Sequence, residues 1–80
     1  NASNEMKSYK LVQNYRDLKT WFHKSLVTET IVQVQKTDNF NPPVRFKVSR
    51  RYKFFTDKLF KKMSSGIKFA KSWMRKHPNG

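Results

Sequence analysis

Eighty residues carry 18 Lys and Arg against 5 Asp and Glu, a formal charge of +13, with no cysteine and two histidines. A chain of this length makes one domain that buries only about 60% of its unfolded surface, and so large a charge repels itself unless a polyanion offsets it, so an anionic partner is expected. Disulfides and thiolate metal sites are excluded, His23 and His77 lack any ligand spacing, and no apolar stretch approaches the roughly 20 residues of a membrane span or the run of a signal peptide.

The charge is unevenly placed. Residues 1–43 hold six cations against Glu5, Asp17, Glu29 and Asp38, whereas residues 44–80 hold twelve against Asp57 alone. The second part is therefore expected to meet the anion. Residues 1–6 read as an expression remnant or a disordered arm, 7–65 as the domain, and 66–80 as a basic C-terminal helix and tail.

In chain order, Tyr9 to Val12 is a short edge strand or extended arm. Asn14 then offers a helix N-cap with Asp17 three residues on, and Tyr15, Leu18, Trp21 and Phe22 recur at helical spacing through Lys24. A second helix is expected with Thr28 as cap and Glu29 in its first turn, where Val27, Ile31 and Val34 form an inward stripe opposite Glu29, Gln33 and Lys36. β-Branched residues at 27, 28, 30, 31, 32 and 34 permit a strand over the same stretch, so propensity leaves both readings open.

Pro42 and Pro43 end any helix. Val44-Arg45-Phe46 and Tyr52 to Phe55 then fit a two-stranded hairpin with a basic tip. A third helix is expected from Thr56 through Met63, broken at Ser64-Ser65-Gly66, and a last helical stretch from Ile67 to about Lys76. This order of elements predicts an α+β fold, a winged helix-turn-helix of three to four short helices with a two-stranded basic wing.

The stretches Val27 to Lys36, Asn39 to Phe46 and Arg51 to Phe54 resemble phage excisionases and related regulators with a MerR-like winged helix, most specifically over Phe40 to Arg45. The likeness covers roughly residues 9–63. It departs at the wing tip, where the family carries glycine and Lys47 to Arg51 has none. The resemblance implies a recombination directionality factor, a protein that binds and bends attachment-site DNA, often cooperatively with its own copies, and recruits integrase without doing bond chemistry itself. It would sit with the nucleoid in the cytoplasm of a bacterium or phage-infected host.

Carried onto this chain, the resemblance makes Thr28, Glu29, Thr30, Gln33 and Lys36 base-edge contacts and Arg45, Lys47, Arg50, Arg51 and Lys53 wing contacts to phosphate or minor groove. Five basic residues in nine positions without an acid also point to nucleic acid by composition alone. Lys68, Phe69, Lys71, Trp73 and Arg75 are candidates for protein or additional DNA contacts. Trp21, Phe22, Phe40, Phe54 and Phe60 read as core aromatics rather than stacking platforms, and His23 as a surface or helix-capping residue. No catalytic set, metal, cofactor or small-molecule substrate is expected.

Three readings compete. A small phage or mobile-element transcriptional regulator of the same fold is the nearest. An RNA-binding protein shares the charge, and a membrane-surface protein would use Ile67 to Lys76 as a basic amphipathic helix.

Overall fold

The computed structural model describes residues 8–51 and 53–80, and it is mostly sheet. Five strands, β1 (Lys10–Tyr15), β2 (Leu18–Lys24), β3 (Glu29–Lys36), β4 (Val44–Arg50) and β5 (Lys53–Phe60), form one antiparallel meander in sequence order. One helix, α1 (Met63–Lys76), lies across β3, β4 and β5. The winged helix-turn-helix expectation is thus overturned: the described residues form a five-stranded sheet and a single helix.

Side-chain period decides the matter. Helical spacing through Val27, Ile31 and Val34 would have buried one stripe, but Thr30, Val32 and Val34 are fully buried while Ile31 stays 38% exposed on the opposite face. That alternation is the two-residue repeat of a half-covered strand, and the β-branched run supports it. β4 repeats the pattern, with Val44, Phe46 and Val48 all at 0% exposure. The four valines and Phe46 are each worth roughly 1.5–3 kcal/mol when buried, far more than the propensity difference between helix and strand.

The expected first helix divides between two strands. Tyr15 pairs with Leu18 around the two-residue turn Arg16-Asp17, and beyond it Trp21 and His23 face α1 while Leu18, Thr20 and Phe22 face away. Thr56 to Phe60, expected to begin a third helix, instead continues β5, with Phe60 opposite Val44. The expected hairpin is present but longer: β4 and β5 pair from Val44↔Phe60 to Arg50↔Lys53, and Arg51 takes the positive φ of 45° in place of the missing glycine.

α1 starts four residues before the expected Ile67 and runs straight through Ser64-Ser65-Gly66. Gly66 does not break the helix, because its bare Cα lets α1 approach the sheet. Ala70 and Met74 continue the same buried stripe against Val32, Val34, Val44 and Phe46, and the Phe69 ring meets Phe46 edge-on at 5.0 Å. The far end of α1 is stitched to the residues before β1: the Tyr9 hydroxyl donates to the His77 carbonyl (2.7 Å) and the Ser8 hydroxyl to that of Pro78 (2.6 Å).

The opposite face of the sheet carries no second layer among the described residues. A polar ladder crosses its middle, where Gln33 Nε2 donates to Thr20 Oγ1 (3.1 Å) and Thr20 Oγ1 donates to Gln13 Oε1 (2.7 Å). Leu18, Phe22, Ile31 and Leu59 lie around it in the register set by β2–β3 and β4–β5 pairing.

Candidate polyanion interface

The meander gathers cations that are far apart in sequence. At one end of the sheet, Arg16 from the β1–β2 turn, Lys36 from the end of β3, and Lys61 and Lys62 from the link into α1 line a cleft of about 530 Å³ together with Met63 and with Asp17 as its one acid. The turn is fixed to β3 by a bond from the Lys36 N–H to the Asp17 carbonyl (2.9 Å), which holds Arg16 and Lys36 on the same rim. Lys62 is the extended N-cap residue of α1 (φ −123°, ψ 145°), and neither a side-chain cap nor an acid in the first turn meets the helix's free N–H groups. The helix dipole therefore adds positive potential to that of four lysine and arginine side chains.

A second basic feature lies along part of α1. Lys68, Lys71 and Arg75 are spaced three and four residues apart, on the side of α1 away from Gly66, Ala70 and Met74. Phe69 and Trp73 do not share that outer face. Phe69 packs between Phe46 and Phe60 with Lys58 Nζ 4.6 Å from its ring, and Trp73 stacks on His77 at 4.0 Å, so both serve the fold.

The residues expected to read base edges do not share a surface. Thr28 sits in the β2–β3 turn, Glu29 is held to Lys24 at 3.9 Å, and Thr30 is fully buried beneath α1. Gln33 belongs to the polar ladder on the other face, and Lys36 alone reaches the cleft. The wing residues likewise divide by strand alternation. Arg45 pairs with Asp57 (2.9 Å) and covers the Phe40 ring at 5.0 Å on the open face, and Lys47 is in register with Asp57 there. Arg50 turns to the helix side, donating to the Gly80 carbonyl (2.8 Å) near Trp73, whereas Arg51 and Lys53 are exposed at the tip.

Sequence reasoning missed Arg16, Lys61 and Lys62 as partners of Lys36. The one local signal was the adjacent lysine pair ahead of the helix. It also misplaced His23, which is buried in β2 with Nδ1 3.0 Å from the Ser8 carbonyl and its ring 5.3 Å from Tyr9. Burial raises the Tyr9 hydroxyl above its ordinary pKa, only partly offset by the nearby Arg50 charge and a backbone hydrogen bond at Gly80. Among the described residues no group of three His, Cys, Asp or Glu is placed to hold a metal ion, and no helix is long and apolar enough to cross a membrane. No family model, no curated protein and no solved structure matches this chain, so the likeness to excisionases rests on the quoted motifs alone.

Proposed function

We propose that this chain binds nucleic acid, duplex DNA in the first instance, by gripping its phosphate backbone. The observation that carries the reading is the cleft: four cations from three separate segments converge on one cavity with a single carboxylate. Folding such charges together is unfavourable unless an anion relieves it. Lys68, Lys71 and Arg75 along α1 extend the contact by about 10 Å at the helical rise, enough for successive phosphates.

Phosphate contacts supply affinity and register without choosing a sequence. Recombination or regulatory roles of the kind the resemblance implied are narrower proposals that need base readout, and Thr28, Glu29, Thr30, Gln33 and Lys36 do not form one reading surface. The charge also suits RNA, and competition with structured RNA at equal salt separates the two.

The test is a titration of labelled duplex with the full chain at several salt concentrations. Log affinity is expected to fall steeply and linearly with log salt, and Lys61→Glu with Lys62→Glu to weaken binding by roughly tenfold or more. Absence of binding at about 50 mM salt ends the proposal.

A further inference from the structure

At the end of the sheet opposite the cleft, the β2–β3 hairpin closes on two apolar residues that the fold does not use. Leu26 is fully exposed, at 102% of its reference area, and Val27 is 76% exposed. Nor is the turn loose. The Ser25 N–H donates to the Thr28 carbonyl (2.9 Å), and Ser25 Oγ accepts from the N–H groups of Thr28 (3.2 Å) and Val27 (3.4 Å). Hairpin tips normally carry Gly, Asn or Asp, and nothing in this hydrogen bonding calls for leucine and valine.

Cations surround this tip. Lys24 precedes it, and Lys10 and Lys24 line a shallow groove of about 280 Å³ with Ser8 and Phe22. The pairing of Thr30 with Arg50, and of Arg50 with Lys53, places Arg51 and Lys53 at the same end on the neighbouring hairpin. Glu29, held to Lys24, is the one acid among the described residues there.

We infer that this end of the molecule docks on an anionic membrane surface, with Leu26 and Val27 entering the boundary between headgroups and acyl chains and Lys10, Lys24, Arg51 and Lys53 meeting lipid phosphates. The apolar feature is a point rather than a patch. A stable protein interface needs about 800 Å² from each partner, which two side chains at a tip do not supply. Interfacial docking needs only a few apolar side chains together with basic ones that the negative leaflet attracts. The basic amphipathic helix expected from the sequence is not the carrier, because the apolar stripe of α1 is spent on the sheet. This inference does not rest on the nucleic-acid reading, since the two surfaces lie at opposite ends of the strands.

The experiment is co-sedimentation of the full chain with phosphatidylcholine vesicles and with vesicles also containing phosphatidylglycerol. The parent is expected to bind the anionic vesicles and to keep part of that binding in high salt. Leu26→Asn with Val27→Asn, which leaves the charge unchanged, is expected to lower the partition coefficient about tenfold or more. In a chain carrying Leu26→Trp, brominated acyl chains should quench the added fluorescence, and in one carrying Val12→Trp, on the exposed edge strand, they should not. Equal partitioning of parent and double variant, or equal quenching at positions 26 and 12, overturns the inference, leaving charge adsorption alone.

Discussion

Gly66 lies so close to Val34 that a methyl group built on its Cα would sit 2.8 Å from Val34 Cγ1, and 2.9 Å from Val44 Cγ1. Helix propensity favours alanine over glycine by about 1 kcal/mol, and packing here opposes it. Both obstructing atoms belong to fully buried β-branched side chains with little freedom to move. Gly66→Ala is therefore expected to destabilise the fold by about 1–3 kcal/mol in chemical denaturation. Adding Val34→Ala should recover part of that loss, so that the two changes couple in a double-mutant cycle. A Gly66→Ala chain as stable as the parent would show that α1 does not ride this close to β3.

Tyr9 makes stability depend on alkaline pH. Burial raises its hydroxyl above the ordinary value of 10.0, against smaller lowering effects from Arg50 and Gly80. A group whose folded pKa is raised contributes stability that is fully present below its unfolded pKa and is lost as pH rises through the folded one. Stability should thus begin to fall above about pH 10, where a spectrophotometric titration should show Tyr9 ionising above the ordinary tyrosine value. Tyr9→Phe should flatten that alkaline fall while costing about 1 kcal/mol at neutral pH through the lost bond to the His77 carbonyl.

Thr20 holds the polar ladder together by donating to Gln13 and accepting from Gln33 on the open face. Thr20→Val keeps the shape and removes both bonds, which is expected to cost about 1–3 kcal/mol, since Thr20 is only 6% exposed. Thermal denaturation monitored by circular dichroism measures the loss. Thr20→Ser, which keeps the hydroxyl, should fall between the two.

Lys68 and Lys71 give the nucleic-acid reading a second measurement. If each meets a phosphate, Lys68→Gln and Lys71→Gln should each lower the slope of log affinity against log salt by about 1, to the same extent for unrelated duplex sequences. Stability should change by less than about 0.5 kcal/mol, because both side chains are exposed on α1. A slope equal to the parent's would place the phosphate path elsewhere.

The sequence was most legible where one pattern dominated. Val44-Arg45-Phe46 reads as extended and lies in β4, although Val48, expected in the basic tip, continues the same strand, and the Ile67 to Lys76 stretch reads as helical from its apolar stripe. Residues 28–36 carried two periods at once, because Val34 belongs both to the helical set with Ile31 and to the strand set with Val32. Only a covering layer on one side chooses between them, and that layer is α1, some thirty residues later in the chain. The cleft was illegible for a related reason. Arg16, Lys36 and Lys61 become neighbours through strand register, which local spacing does not encode.

Because every strand pairs with its sequence neighbour, the sheet ends in two open rims, β1 and β5, each offering backbone groups to any passing extended chain. On the β1 rim the pairing skips Val12 between Leu11↔Trp21 and Gln13↔Thr20, and the resulting bulge distorts an edge that exposes Leu11, Val12 and Tyr15. Lys53 and Lys58 put charge along the other rim. Deleting Val12 would straighten the first of these, and the chain would then be expected to assemble edge to edge into fibres.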